Sequence, residues 1–271
     1  GDHLHFSILV NGQFVNPRNI AFDASGNVYV TDRNNHRVQK FDSAGNFLTK
    51  WGSEGSEDGQ FKVPNGIAVD SSGNVYVADD ENHRVQKFDS SGNFLMKWGS
   101  EGSDEGQFRY PRGIAVDSSG NVYVADDANH RVQKFDSSGD FVTKWGSEGS
   151  EDGQFRSPYG NTLDASGNVY VTELLNHRVQ KFAPVAEPAP VYGSWSALGG
   201  GIDDGGVNAV AVAPDGTVYV GGFFYRAEGK TVNNVAVWNG GSWGPLKDGL
   251  RTGVNALAIG PDGKVYAGGW F

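Results

Sequence analysis

Apolar and polar residues alternate with a period of two in short runs along most of this chain, and the runs come in sets of four. In residues 64 to 110 they are Gly66-Ile-Ala-Val-Asp70, Asn74-Val-Tyr-Val-Ala78, Arg84-Val-Gln-Lys-Phe88 and Asn93-Phe-Leu-Met-Lys-Trp98. β-Branched and aromatic residues dominate these runs, which suits half-buried strands rather than helices. Asp70-Ser-Ser-Gly73 and Asp89-Ser-Ser-Gly92 separate them. Each places an Asp that can bond the turn backbone ahead of a Gly able to take positive φ, so these carboxylates are read as turn chemistry.

The sets repeat. Aligning Pro17, Pro64, Pro111 and Pro158 brings similar residues into register at a spacing of 47, within the range of propeller blades. Residues 64–110 and 111–157 differ at only eight positions, which points to recent duplication or deliberate construction. A second repeat follows the Pro/Ala-rich stretch Ala183-Pro-Val-Ala-Glu-Pro-Ala-Pro190, read as a stiff connection within a junction at 183–194. In it, Val207-Asn-Ala-Val-Ala-Val-Ala-Pro-Asp-Gly216 returns as Val254-Asn-Ala-Leu-Ala-Ile-Gly-Pro-Asp-Gly263, and Trp195 and Trp243 mark matching outer strands. Leu4, Phe6, Ile8 and Val10 alternate as another strand should.

The expected fold is therefore all-β: a six-bladed β-propeller spanning residues 1–271 as a single domain. Its ring would be closed by the N-terminal strand, residues 3–10, pairing with the partial C-terminal blade, which removes exposed strand edges. The joining of two repeat types reads as a designed hybrid or a fragment of a larger repetitive protein.

The strings PNGIAVDSSGNVYVADDENHRVQKFDSSGNFLMKWG and PRGIAVDSSGNVYVADDANHRVQKFDSSGDFVTKWG, with Asn82-His83-Arg84 and Asn129-His130-Arg131, resemble NHL repeats over residues 14 to about 182. The resemblance implies a toroidal propeller whose first strands line a central channel. Residues 195–271 resemble extracellular bacterial repeat propellers loosely, which implies an extracellular or cell-surface setting in a prokaryote. The sequence itself leaves export open.

Composition narrows the partners. The 32 acidic against 22 basic side chains give a net charge of −10, which opposes the counterion release that drives nucleic-acid binding. Some NHL propellers bind RNA through a basic face, and only Arg18, Arg33 and Arg112 speak for that here. No apolar run is long enough to insert in a membrane. The absence of Cys removes thiolate chemistry and disulfides.

Strand direction puts the Asp-Ser-x-Gly turns on a lower face, and the second-to-third-strand loops and interblade connections on an upper one. Near-identical blades differ mainly above. Around the proline they read Asn16 and Arg18, Val63 and Asn65, Tyr110 and Arg112, Ser157 and Tyr159. The second-to-third loops read Arg33-Asn34, Asp80-Glu81, Asp127-Ala128 and Leu174-Leu175. The candidate ligand-binding residues are therefore Arg18, Asn65, Arg112, Tyr159, Arg33, Asp80, Glu81, Asp127 and Tyr110, since binding residues concentrate on loops held by a rigid scaffold. Drift at solvated loop tips is the competing explanation.

His36, His83, His130 and His177 recur with the blades and are read as blade-to-blade hydrogen-bonding groups, being too far apart around a ring to share one metal. The NHL resemblance includes a peptide-amidating lyase whose metal is held by histidines at the channel mouth. The residues ahead of the first strands are instead Gln13-Phe14, Gln60-Phe61, Gln107-Phe108 and Gln154-Phe155, and amides replace imidazole poorly. Glu54, Glu57, Asp58, Glu101, Asp104, Glu105, Glu148, Glu151 and Asp152, with Asp79, Asp80, Asp126 and Asp127 nearby, read mainly as a solvated rim. Calcium is the one cation they suggest, because it prefers several oxygens; no other cofactor is expected.

The function these residues point to is a non-enzymatic scaffold that binds a protein, peptide or glycan on the upper face. The alternatives are a carboxylate- or calcium-dependent propeller enzyme, and a self-assembling structural module of an extracellular or filament assembly.

Overall fold

The computed structural model describes residues 9–10, 13–14, 17–184 and 193–269. Five antiparallel four-stranded sheets follow one another along the chain, each in simple up-and-down order. Blade one comprises Pro17–Phe22, Val28–Asp32, Arg37–Phe41 and Phe47–Trp51. Blade two comprises Pro64–Val69, Val75–Asp79, Arg84–Phe88 and Phe94–Trp98, and blade three Pro111–Val116, Val122–Asp126, Arg131–Phe135 and Phe141–Trp145. Blade four spans the Pro/Ala-rich stretch: Pro158–Leu163, Val169–Glu173 and Arg178–Pro184 are completed by Gly193–Ala197. Blade five is Gly206–Val212, Val218–Phe223, Val235–Trp238 and Trp243–Pro245. Among the described residues no helix is long and apolar enough to cross a membrane.

The propeller thus has five blades, not the six expected. A two-stranded sheet, Val254–Ile259 with Val265–Gly269, occupies the arc between blade five and blade one. Its Val254 and Leu257 pack with Ala209 and Val235 of blade five, and its Ala256 packs with Ile20 and Phe41 of blade one. Of the expected closing strand, only residues 9–10 are among the described residues. Leu9–Val10 pairs with Gln13–Phe14. The reason is local: Asn11-Gly12 between those segments is the dipeptide that best favours a two-residue hairpin loop, so Leu9–Val10 finds its partner next door.

The second strands of blades one to four are buried on both faces, whereas the outer fourth strands of blades one to three are partly exposed. Val75–Asp79 is buried at all five residues, which a central strand between blades requires. The lower turns behave as their sequence demands. Asp70 Oδ1 accepts from the N–H groups of Ser72 at 2.9 Å and Asn74 at 2.8 Å, while Oδ2 takes the Asn74 amide and the Tyr76 hydroxyl.

That hydroxyl contact recurs at Tyr29, Tyr123 and Tyr170, each donating to the Asp six residues earlier. Burial, and then the neighbouring carboxylate, push all four phenols above their ordinary value. The folded state therefore holds these protons longer than the unfolded chain. Their contribution is fully present below about pH 10, the unfolded tyrosine value, and is lost as pH rises beyond it. Alkaline titration should show phenolate absorbance from these residues only together with the loss of β-sheet circular dichroism. Ionisation of all ten tyrosines in the folded state would contradict this.

Between the first strands lies a cavity of about 260 Å³, lined by residues such as Asn19, Ala68, Ala115, Asn161 and Asn208. The strands approach closely there. A Cβ on Gly113 would sit 2.6 Å from the Tyr159 carbonyl oxygen, so blades three and four meet at this height only because the residue is glycine.

Candidate functional site at the upper channel mouth

The upper face is built by the Asn-His-Arg segments. In blade two, Asn82 Nδ2 donates to Asp79 Oδ2 and to the Gly55 carbonyl, both at 2.9 Å. His83 takes a left-handed backbone conformation with φ of 53°, and its Nδ1 accepts from the Tyr110 N–H of the next blade at 3.3 Å. His36 and His130 accept in the same way from Val63 and Ser157, so these three histidines tie blade to blade. Arg84 donates from Nε to Asp79 Oδ2 at 2.8 Å and from its two Nη atoms to the carbonyls of Ser56, Glu57 and Gln60. It thereby pins the long interblade connection against the third strand.

The carboxylates of this face divide sharply. Glu54, Glu57, Asp58, Glu101, Asp104, Glu105, Glu148, Glu151 and Asp152 are exposed, as a solvated rim should be. Asp79, Asp80 and Asp126 are buried, which corrects their assignment to that rim. Asp79 and Asp126 are hubs: Asp79 Oδ1 accepts from the Lys62 N–H at 2.7 Å while Oδ2 gathers Asn82, Arg84 and Gln86. Among the described residues no group of three or more His, Cys, Asp or Glu side chains is placed to hold a metal ion.

The residues flanking the prolines do converge. Arg18 Nε donates to Asn65 Oδ1 at 2.9 Å, and Asn65 Nδ2 donates onward to Asp80 Oδ2 at 3.2 Å. Arg112 donates from Nη1 to Asp80 Oδ2 at 2.5 Å and from Nε to Asp127 Oδ2 at 3.1 Å. Asp127 Oδ1 accepts the Ser157 hydroxyl at 2.6 Å. Tyr159 joins the ends of this chain: the guanidinium of Arg18, from blade one, stands 4.9 Å from its ring centroid, and that of Arg112 stands 5.6 Å away. Tyr110, also left-handed at φ of 58°, sets its ring edge-on to His83 at 5.1 Å and 5.9 Å from the Arg112 guanidinium.

Eight of the nine sequence candidates thus meet in one patch. Glu81 does not join it; its carboxylate turns outward to Lys62 Nζ at 3.3 Å. Two atoms within the patch lack hydrogen-bond partners although both are buried: Arg33 Nε and Asp80 Oδ1. Burial raises the Asp80 carboxyl above its ordinary value, against the opposing pull of Arg112, Asn65 and Arg33. Burial also lowers Arg18, to about 10, with repulsion from Arg33 and Arg112 adding to it.

Several residues at the mouth escape sequence reasoning. Asn161 donates to the Tyr123 carbonyl at 2.9 Å and leaves its buried Oδ1 without a partner. Its signal was present in the repeat, where blades two and three carry Ile67 and Ile114. Phe223, the last residue of the second strand of blade five, and Tyr225, just after it, have no counterpart in blades one to four and so give no signal by comparison.

The NHL repeat family matches residues 14–41, 61–88 and 108–135. Three stretches of this chain are thus similar to the NHL repeat. The match takes in the first three strands of blades one, two and three, and does not extend to the second repeat type. Protein brain tumor of Drosophila melanogaster is 40% identical over 50 residues, which is 18% of this chain and 5% of that protein. The chain therefore corresponds to only a small part of that relative.

Solved structures resemble it more widely. Virginiamycin B lyase from Staphylococcus aureus aligns over 90% of this chain and 74% of its own at 14% identity, with a TM-score of 0.62. A putative gluconolactonase aligns over 90% and 82% at 14% identity and a TM-score of 0.65. The WD40 repeats of RRP9 align over 92% and 72% at 11% identity and a TM-score of 0.66. At these identities the likeness establishes the propeller fold alone.

Proposed function

We propose that this protein is a non-enzymatic propeller scaffold that takes a peptide segment of a partner protein at its upper channel mouth. The observation that carries this reading is the convergence of Arg18, Asn65, Arg112 and Tyr159. These four occupy one position in four blades and differ in charge and shape; Arg18, Asn65 and Arg112 are hydrogen-bonded through Asp80 and Asp127, and the Tyr159 ring stacks on both guanidiniums. A ring built only for packing has no need of four unlike groups there, whereas an asymmetric ligand does. The unpartnered Arg33 Nε and Asp80 Oδ1 support the same reading, because buried polar groups in native structures are normally satisfied.

Selection of a displayed random heptapeptide library, run beside a glycan array, tests it. Selected peptides should bind Tyr159→Ala at least tenfold more weakly and bind the lower-face variant Ser118→Ala unchanged. Retained binding in Tyr159→Ala, or capture of glycans alone, would remove the peptide site from the mouth.

A further inference from the structure

The mouth has two chemically different halves. Blades one to three supply Arg18, Arg33, Asn65, Asp80, Arg112 and Asp127, all charged or strongly polar. Blades four and five add Tyr159 and Ser157 to that patch and otherwise present apolar groups in their second-to-third-strand segments. Leu174 and Leu175 stand where blades one to three carry Arg33-Asn34, Asp80-Glu81 and Asp127-Ala128. Leu174 packs against Gly206, where blade five begins, and the Phe223 ring lies over Gly253 at the start of the following two-stranded sheet. Leu175, Phe223 and Tyr225 are 60%, 52% and 65% exposed, which is unusual for side chains of this size. Blades four and five thus each present exposed apolar side chains, Leu175 on blade four and Phe223 and Tyr225 on blade five.

The charged half is unbalanced. Three guanidiniums face two carboxylates, and Arg112 alone occupies both Asp80 and Asp127. Arg18 has Asn65 and the Tyr159 ring as its partners. Among the described residues the Arg33 guanidinium has no hydrogen bond or ion pair, and its Nε is buried without one. The unmet needs are therefore an anion for Arg33 and Arg18, and an N–H donor for Asp80 Oδ1. A peptide supplies both, with a side-chain carboxylate and a main-chain N–H, and an apolar side chain beside the carboxylate would cover the leucines and aromatics.

We infer that the ligand of this mouth is an acidic peptide segment, whose Asp or Glu lies against Arg33 and Arg18 while a neighbouring Phe or Leu covers Leu175, Phe223 and Tyr225. This rests on the peptide-binding reading above and specifies its chemistry. The net charge of −10 does not oppose it, because the exposed rim acids act through water screened over about 8 Å at physiological salt. The guanidiniums act at contact distance in a partly desolvated patch, where a bidentate carboxylate bond is strong.

The probe is a set of capped heptapeptides with a central Asp or Glu followed by Phe or Leu, beside counterparts carrying Asn, Gln or Lys, and others carrying Ala for the apolar residue. Fluorescence anisotropy should show the acidic peptides binding at least tenfold more tightly than the amide and Ala counterparts. Arg33→Ala should remove that preference with little change in the melting temperature, since Arg33 gives up no hydrogen bond and its pull on Asp80 is set against its repulsion of Arg18. Arg33→Glu should turn the preference toward the Lys peptides, and Leu175→Ser with Tyr225→Ala should abolish the advantage of Phe over Ala. Equal binding of Asp and Asn peptides overturns the inference. So does a Tyr159-dependent preference for basic peptides, which would leave the mouth as the peptide site but refute its acid specificity. Tighter retention of a single-stranded RNA oligonucleotide than of any acidic peptide, lost in Arg33→Ala, overturns it as well.

Discussion

Replacing Arg112 with Ala should destabilise the propeller by about 3–5 kcal/mol, as expected when one partner of a buried ion pair is removed. Position 112 differs among otherwise near-identical blades, which by itself suggests an exposed loop residue whose change costs little. The structure reverses that expectation. Asp80 is 2% exposed and its Oδ1 already lacks a partner, so without Arg112 only the Asn65 amide at 3.2 Å still reaches its other oxygen. Asp127 would lose the same guanidinium and keep the Ser157 hydroxyl. Most of the loss is the penalty of stranding a buried charge, so Asp80→Asn added to Arg112→Ala should recover a large part of it. Calorimetric unfolding of wild type, the single variant and the pair decides the matter. A single-variant loss under about 1 kcal/mol would place the pair among exposed surface ion pairs.

Asp79→Ala should be at least as damaging, again about 3–5 kcal/mol for a fully buried charged partner. Its carboxylate receives the Lys62 N–H, the Asn82 and Gln86 amides and Arg84 Nε, and it is 0% exposed. Deleting it leaves four donors around a void, one belonging to an arginine that is itself buried. Asp79→Asn should rescue little, because the new amide turns its own N–H groups toward a cluster of donors. Limited proteolysis gives a second readout. Arg84 pins the 56–60 connection through three carbonyls, so cleavage there should accelerate with the loss of its anchor. Stability of Asp79→Asn equal to wild type would show that the charge is dispensable.

These two neighbours show where sequence reading reaches and where it stops. Asp79 and Asp80 look alike in the sequence, two acids at the end of a strand, and both read as part of a solvated rim. Asp79 sits opposite Arg84 in strand register and is answered by residues three, five and seven positions away, so its role belongs to one blade. Asp80 is answered by Arg112, 32 residues on, and its burial depends on how two blades meet. Arg18 and Tyr159 are further apart still in sequence, yet touch because they share one height at the channel mouth. Comparing repeats found eight of the patch's members by their differences. It could not show which of those differences would be paired, or that Glu81 would turn away.

The strands, their turns and the 47-residue repeat were determined by sequence alone, because alternation, Asp-x-x-Gly turns and the Asn-His-Arg segments act over a few residues at a time. The four turn carboxylates that cap Tyr29, Tyr76, Tyr123 and Tyr170 belong to the same local order. Tertiary structure alone decided that five blades are four-stranded and that a two-stranded sheet lies in the arc between blade five and blade one. It also decided that the mouth has a charged half and an apolar half. Closing a ring brings residues from distant repeats to one height, and which of them find a partner there depends on distances that no single repeat contains.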